Sequence, residues 1–165
     1  MKIIDKFLTD ENFNTLKQDL IYNKNVPWLW SDTKVFKGDG TDTLVHMLYR
    51  DNKPCSEFFN KIHTYFSLLL DVSSWVRIKM NCTWLDQEPK VFGYHTDIED
   101  IHNKTAKTAI YYCTTTNGPT VFEGSDDNVE CVENRLLMFD SSKRHSGQSH
   151  TKGPARRLVI NFNYF

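Results

Sequence analysis

The chain has 165 residues, of which 39% are hydrophobic and 13% aromatic, and its formal net charge is −1. This length favours a single domain over residues 1–165 with a hydrophobic core of its own. The charge gives no general attraction to nucleic acid, and no apolar run reaches the roughly 20 residues of a membrane span. Because residues 1–5 lack the apolar segment of a signal peptide, we expect an intracellular, cytoplasmic protein.

Cysteine usage fits the same compartment. The four cysteines stand apart, without a C-x-x-C pair among them. That spacing favours reduced, partly buried thiols over a zinc site or a disulfide framework. The four residues are Cys55, Cys82, Cys113 and Cys131.

Two amphipathic helices are predicted in residues 1–70. The first covers residues 9–23, where Thr9 or Asp10 can cap an apolar stripe at helical spacing. The second starts near Ser56, a candidate cap, and has a broad apolar face that continues to the end of this region. We expect both helices to support the β-rich remainder of the chain from outside a sheet.

Between these helices, residues 43–49 alternate in polarity as a strand does. His46 within this strand is interpreted as a hydrogen-bonded structural histidine rather than a ligand. Trp28 and Trp30 precede the strand. Packing of the N-terminal segment is the favoured interpretation of both tryptophans, and a wall of a substrate cleft is the alternative.

Residues 75–84 alternate almost perfectly between apolar and polar side chains. We expect a strand whose apolar face packs on the helices and whose polar face lines a wet cavity, although a plain solvated face fits the same pattern. The apolar set is Val76, Ile78, Met80, Cys82 and Trp84, and the polar set is Arg77, Lys79, Asn81 and Thr83.

The next predicted strand carries His95 and Asp97. Side chains two residues apart on a strand share a face, so this imidazole and this carboxylate can bind one metal ion. A third ligand from a distant strand would complete the 2-His-1-carboxylate set that holds Fe(II) and leaves positions open for other ligands. His145 follows Asp97 by 48 residues and is the favoured third ligand, with His150 as its competitor. An H-x-D pair alone has low specificity, so the interpretation depends on these partners.

The second half of the chain reads as short strands separated by turns, which is typical of a sandwich or jelly roll. A turn is expected at residues 116–119, where Asn and Gly precede Pro. The predicted strands are residues 108–115, 120–122, 129–132, 136–139 and 157–162.

Taken together, His95-Thr96-Asp97, His145 and Arg157 resemble the signature of the Fe(II)/2-oxoglutarate-dependent dioxygenases. The most similar branch is the prolyl-4-hydroxylase-like one, which includes small phage and bacterial members. The resemblance covers residues 74–165, and more loosely the two helices. It departs at Gly118-Pro119-Thr120, where the family usually has Gly-Gly-Thr. The supporting runs are residues 109–112, 119–122, 135–140 and 157–160.

This resemblance implies an α+β fold that is mostly β. Its core would be a double-stranded β-helix, of jelly-roll or cupin-like type, in residues 74–165. Residues 1–70 would form a helical support region with an edge strand, its helices packed on one sheet.

The resemblance also assigns the site. His95, Asp97 and His145 would be the catalytic metal ligands for Fe(II). Arg157 would bind the distal carboxylate of 2-oxoglutarate through two parallel hydrogen bonds. We favour Arg157 over Arg156. Arg156 shares its face of the strand with bulkier side chains that suit packing under the helices, namely Leu158, Ile160 and Phe162. Two further contacts to the cosubstrate would come from Tyr112 and Asn81.

The implied reaction is hydroxylation of a C–H bond with O2, converting 2-oxoglutarate to succinate and CO2, with ascorbate as a possible support. The substrate would be a protein or peptide residue such as proline. A small molecule or a nucleic-acid base is the alternative, and a non-catalytic cupin-like binding protein is another. The charge of −1 argues against nucleic acid, although Lys143, Arg144, Lys152 and Arg156 lie near the site. Residues 34–42 and 98–107 are expected to shape the cleft.

Overall fold

The structure is a computed structural model of the chain and describes residues 1–32, 42–98 and 105–165. These residues form two α-helices, a short π-helical turn and eleven strands. None of the helices among them is long and apolar enough to cross a membrane. The helices are α1 (Asp10–Leu16) and α2 (Phe59–Phe66), and the π-helical turn is Lys17–Ile21. The strands are β1 (Lys2–Ile4), β2 (Leu29–Ser31), β3 (Thr43–Arg50), β4 (Lys53–Pro54), β5 (Trp75–Trp84), β6 (Lys107–Tyr112), β7 (Thr116–Phe122), β8 (Asn128–Cys131), β9 (Arg135–Asp140), β10 (His145–Gly147) and β11 (Arg156–Tyr164).

Two antiparallel sheets face each other. The large sheet has the order β1-β9-β6-β11-β5-β3-β2, with β4 paired to β3, and the small sheet has the order β10-β7-β8. Isolated bridges from Val91 to Gln148 and from His95 to His145 add one more segment to the small sheet. This arrangement confirms the mostly β, jelly-roll prediction. The N-terminal region adds strands at both edges of the large sheet, since β1 lies at one edge and β2 at the other.

Strand alternation divides the apolar side chains between two cores. The helices pack on the outer face of the large sheet, as predicted, and the small sheet packs on its inner face. Tyr111 and Tyr112 illustrate the division, because neighbouring residues of β6 enter different cores. The outer core includes Leu16, Leu20, Ile62, Phe66, Ile78, Met80, Ile160 and Phe162, and the inner core includes Ile110, Phe122, Val129, Leu137, Phe139 and Val159.

Both helices are shorter than the sequence pattern predicts. The Thr9 hydroxyl caps α1 by accepting a hydrogen bond from the N–H of Asn12 at 3.3 Å, and the π-helical turn follows from Lys17. The second helix starts at Phe59 rather than Ser56. The Ser56 hydroxyl instead accepts from the N–H of Phe58 at 3.2 Å, so it caps the turn that precedes the helix.

The predicted strand β5 has the expected bounds, with one correction at its start. A register irregularity opposite β11 places Trp75 in the outer core and leaves Val76 half-buried. The alternation holds from Arg77 to Cys82, whereas at the end of the strand Thr83 is buried and Trp84 is exposed. Ile78, Met80 and Cys82 are buried under the helices.

The turn expected at residues 116–119 is wrong, because these residues belong to β7. The register shifts between Thr116 and Thr120, which accommodates the proline within the strand. Gly118 lies so close to a neighbouring segment that an added Cβ would come within 2.7 Å of the carbonyl oxygen of Gln148. Gly118 therefore allows β7 to lie close to the segment that contains Gln148.

Several side chains with two interpretations are settled by their surroundings. His46 is buried, with Nδ1 2.9 Å from the carbonyl oxygen of Pro27 and Nε2 2.9 Å from the Ser56 hydroxyl. Trp28 packs against the outer core, and Trp30 lies 6.0 Å from Trp84 at the surface. These contacts support the packing interpretation for His46 and Trp28, whereas Trp30 is 63% exposed and does not join the core. All four cysteines are free, and three of them are buried.

Candidate metal centre

Backbone pairing brings the two histidines of the predicted site together. The N–H of His95 donates to the carbonyl oxygen of His145 at 3.0 Å, and the N–H of His145 donates back at 2.9 Å. Their ring centroids are 4.7 Å apart. The H-x-D segment forms this isolated bridge and not the regular strand that the sequence pattern predicts. Gly93, with φ of 126°, permits the bend that precedes it.

The Asp97 carboxylate lies against both imidazoles. Its Oδ1 is 3.9 Å from Nε2 of His95, and its Oδ2 is 3.6 Å from Nε2 of His145. One ligand atom from each residue lies within 4.8 Å of the others. The side chains of Asp97 and His145 are 2% and 3% exposed, so water competes little for them.

Hydrogen bonds to main-chain carbonyls set the tautomer of each imidazole. Nδ1 of His95 lies 3.2 Å from the oxygen of Gly93, and Nδ1 of His145 lies 3.1 Å from the oxygen of Lys143. A carbonyl only accepts, so each Nδ1 carries the proton and each Nε2 lone pair points toward Asp97. This is the arrangement that metal-binding histidines adopt, and the three side chains therefore fit a divalent metal ion.

Asp97 is held by a polar network on the inner face of the large sheet. Nη2 of Arg77 donates to its Oδ1 at 2.8 Å, and the Thr108 hydroxyl donates to its Oδ2 at 3.0 Å. Asn163 links the two donors, since its Oδ1 accepts from Nε of Arg77 at 3.0 Å and its amide donates to Thr108 at 3.1 Å. Asn161 adds a longer contact of 3.3 Å.

The charge state of Asp97 follows from these neighbours. Burial opposes its ionisation, but His145, Arg77 and His95 outweigh this effect and lower its pKa to about 2. For His95, burial and then the charge of His145 lower the pKa, which favours the neutral imidazole that binds metals. The site therefore presents a carboxylate and a neutral imidazole near neutral pH.

A cavity of about 330 Å³ connects the metal centre with the predicted cosubstrate residues. It lies between the two sheets, with lining residues from both. The structure places Asn81 and Arg157 in its wall together with His95, Asp97 and His145. The remaining lining residues are Arg77, Lys79, Thr96, Ile110, Thr120, Gly147, Val159 and Asn161.

Arg157 is a buried cation in this wall, with 4% of its surface exposed. Its Nε donates to the carbonyl oxygen of Gly118 at 2.9 Å, and its guanidinium carbon lies 5.8 Å from the centre of the Tyr112 ring. Among the described residues, no carboxylate forms an ion pair with it. A buried cation without a counter-charge is costly, so the cavity fits an acidic ligand. Arg156 is exposed on the other side of the strand.

Tyr112, a predicted cosubstrate residue, does not line the cavity itself but contacts a residue that does. The Tyr112 hydroxyl donates to Oγ1 of Thr120 at 2.7 Å. Thr120 lines the cavity, and Tyr112 lies behind it. Because its oxygen accepts from Tyr112, the Thr120 hydroxyl can donate its own proton into the cavity. Tyr111 packs in the outer core, as expected, and donates to Asn134 at 2.9 Å.

The competing third ligand does not join the group. His150 is buried, and its Nε2 lies 2.9 Å from the carbonyl oxygen of Pro154. Of the two segments expected to shape the cleft, residues 34–42 and 98–107, most positions lie outside the described residues, namely 34–41 and 99–104.

No protein-family model matches the chain, and no curated protein matches it in sequence. Solved structures do. A prolyl hydroxylase from Trichoplax adhaerens, in complex with a hypoxia inducible factor oxygen degradation domain peptide fragment, has a TM-score of 0.67 at 16% identity, covering 99% of this chain and 82% of that chain. A Pseudomonas putida prolyl-4-hydroxylase has a TM-score of 0.67 at 11% identity, covering 99% and 91%.

A third structure is HygX from Streptomyces hygroscopicus with nickel, 2-oxoglutarate and hygromycin B bound. It has a TM-score of 0.64 at 11% identity, covering 98% of this chain and 81% of that chain. At these identities the likeness shows the fold. The predicted resemblance to prolyl hydroxylases and other 2-oxoglutarate-Fe(II) oxygenases is confirmed at that level.

Proposed function

We propose that the protein is an Fe(II)- and 2-oxoglutarate-dependent oxygenase that hydroxylates a C–H bond. One observation carries this proposal. A single cavity combines a His-Asp-His metal site with a buried arginine that has no acidic partner in the described chain. A metal site alone fits many chemistries, whereas the added cation selects an acidic cosubstrate.

Each residue has a role in this reaction. His95, Asp97 and His145 hold the iron, with their orientation set by main-chain carbonyls and by Arg77. Arg157 binds the distal carboxylate of 2-oxoglutarate. Bound iron, 2-oxoglutarate and O2 supply the oxidising power, and succinate and CO2 are the co-products. Ascorbate keeps the iron reduced.

The two remaining cosubstrate residues act from the cavity wall. Thr120 donates a hydrogen bond to the bound acid and is oriented from behind by Tyr112. Asn81 presents an amide on the polar face of β5. The sheets on either side exclude water, which strengthens these contacts.

The favoured substrate is a peptidyl residue such as proline. Its support is the likeness to prolyl hydroxylases, one of which was solved with a bound peptide. HygX was solved with the small molecule hygromycin B bound, so a small-molecule substrate is the second candidate. A non-catalytic binding protein is disfavoured because the metal set is complete.

The test begins with cosubstrate binding and turnover. Purified protein is incubated with Fe(II), ascorbate and 2-oxoglutarate, and succinate is measured with and without proline-containing peptides. We expect succinate from the native protein and background amounts from the His95→Ala variant. Mass spectrometry then identifies the peptide that gains one oxygen atom.

Arg156→Ala is the matched control for Arg157→Ala, because the two arginines are neighbours on one strand with opposite exposure. Loss of the buried arginine is expected to weaken 2-oxoglutarate binding by about 100-fold, the scale of a charged hydrogen-bonded contact, and loss of the exposed one to leave it unchanged. Equal effects would refute the cosubstrate assignment. Binding of 2-oxoglutarate without any succinate would favour the non-catalytic alternative.

A further inference from the structure

Lys79 is a cation of the cavity wall that the proposed reaction does not use. Arg77 pairs with Asp97, and Arg157 is assigned to the cosubstrate. Within the described chain, the ammonium group of Lys79 has no hydrogen bond and no ion pair. The side chain is nevertheless half-buried on the inner face of β5. Such a placement costs free energy unless a ligand compensates for it.

Strand pairing shows where Lys79 lies relative to the cosubstrate. On β5 it is opposite Asn161 of β11, which contacts the metal-binding Asp97. Arg157 is four residues from Asn161 along the same strand, a distance of roughly 13 Å at the usual rise. The direction from the metal centre to Arg157 therefore runs along β11. Lys79 lies across the sheet from that line, on the side of Met47 in β3.

The charges in the cavity indicate what the lysine binds. Three cations and one carboxylate line the wall. Iron(II) adds two positive charges and 2-oxoglutarate cancels them, so the loaded cavity keeps an excess of two. Burial and then the neighbouring Arg77 lower the pKa of Lys79 to about 8, which Asp97 only partly opposes. The ammonium group thus lies in a positive environment and forms no ion pair with a carboxylate of the described residues.

We propose that Lys79 binds an anionic group, a carboxylate or a phosphate, on the substrate that is hydroxylated. This inference rests on the proposed function and narrows its substrate to acid-bearing compounds. An ammonium group donates up to three hydrogen bonds and suits a single anionic group. The position one strand away from the metal centre brings that group next to the reacting carbon. Lys79 is then a specificity-determining residue.

The test measures anion binding to the loaded protein without turnover. Protein saturated with Zn(II) and 2-oxoglutarate is titrated with acetate, inorganic phosphate, acetyl-Asp-Pro amide and acetyl-Asn-Pro amide. Isothermal titration calorimetry measures binding to each protein, and in the native protein the NMR signal of the Lys79 Cε reports which anions contact this side chain. We expect saturable shifts from the acids, and binding weakened by about tenfold or more in Lys79→Met, since methionine keeps the chain length without the charge. Lys90→Met, which alters an exposed lysine, is expected to leave binding unchanged.

Comparison of the four titrated compounds distinguishes the possible substrates. Tighter binding of the Asp-Pro peptide than of acetate or phosphate supports an acidic peptide, and the reverse order supports a small acid. Absent anion binding, or equal binding to native and Lys79→Met protein, overturns the inference. So does displacement of 2-oxoglutarate, which would make Lys79 a cosubstrate contact. Failure of 2-oxoglutarate to bind, with acetate still binding through Lys79, instead refutes the proposed function alone.

Discussion

Arg77 orients Asp97, one of the three proposed metal ligands. It pairs with Asp97 at 2.8 Å, and its other donor is fixed by Asn163. We expect Arg77→Met to weaken metal binding by about 10–100-fold, because the carboxylate loses its orienting partner. Titration with Co(II), followed by absorbance, measures this effect.

The control for that variant is Arg50→Met, which removes an exposed arginine whose ion pair within the described chain is with the neighbouring Asp51. Its metal affinity is expected to match that of the native protein. If Arg77→Met binds Co(II) as tightly as Arg50→Met does, the network around Asp97 has no role in the metal site.

Lys79 gives a prediction about stability and pH in the metal-free protein. Burial, Arg77 and Arg50 lower its pKa from 10.5 to about 8, with Asp97 opposing. The unfolded chain holds this proton more tightly, so the charge destabilises the fold below pH 8, and the penalty disappears as the pH rises to 10.5. Lys79→Met is therefore expected to stabilise the protein at pH 7 by up to about 3 kcal/mol.

Urea unfolding in the presence of EDTA measures this difference. The difference in free energy of unfolding between native and Lys79→Met protein is expected to be largest at neutral pH. It is expected to disappear near pH 10.5, the pKa of the lysine in the unfolded chain. A gap of the same size at both pH values would mean that packing, and not charge, distinguishes the two proteins. The gain in stability would accompany a loss of substrate binding, as is common at functional sites.

The face on which a side chain lies could be predicted where the residue belongs to a long, regular strand. Alternation along β11 separates Arg157 in the cavity from Arg156 outside. Thr120 was not recognised, because nothing local shows that Tyr112 from another strand donates to it. Arg77 was placed on the polar face, but its pairing with Asp97 depends on a segment without regular structure.

At the level of elements, the long strands β5 and β11 follow from their polarity patterns, and the short segments do not. The H-x-D segment has only isolated bridges to residues near His145, so its position depends on tertiary pairing rather than on local preference. Residues 116–119 have strong turn chemistry, yet strand pairing on both sides overrides it. Both errors fall beside the site.

Gly118 connects β7 to the proposed 2-oxoglutarate pocket. An added Cβ would lie 2.7 Å from the Gln148 oxygen and 3.0 Å from Cβ of His150, and the Gly118 carbonyl accepts from Arg157. We expect Gly118→Ala to destabilise the protein by about 1–3 kcal/mol through overpacking and to weaken 2-oxoglutarate binding as well. Thermal unfolding and a binding titration measure the two effects.

Gly124 is the comparison for this variant. It has φ of +69° and no atom within 4 Å of an added Cβ, so Gly124→Ala adds only backbone strain of about 1–2 kcal/mol. Its 2-oxoglutarate affinity should be native. Loss of affinity in both variants would point to general destabilisation rather than to the crossing at Gly118.

For the whole molecule, the two cores explain why the fold could be predicted from the sequence. Both consist of apolar side chains on the alternating strands of the large sheet, with helices on one side and the small sheet on the other. Of the three candidate metal ligands, His145 contacts the inner core, with its ring centroid 4.7 Å from that of Phe139, while the Asp97 carboxylate is held by polar side chains. We expect the fold to form without a bound metal ion, and the details of the site to depend on how the segments cross.

That independence predicts a local response to metal removal. His95 and Asp97 lie in a segment joined to β10 by isolated bridges, while the large sheet is continuous. A bound metal ion at 100 times its dissociation constant is expected to stabilise the protein by about 2.7 kcal/mol. Treatment with EDTA should accelerate hydrogen exchange at the His95 and His145 amides and leave β6 and β11 protected. Exchange that accelerates throughout the large sheet would show instead that the metal ion holds the whole fold together.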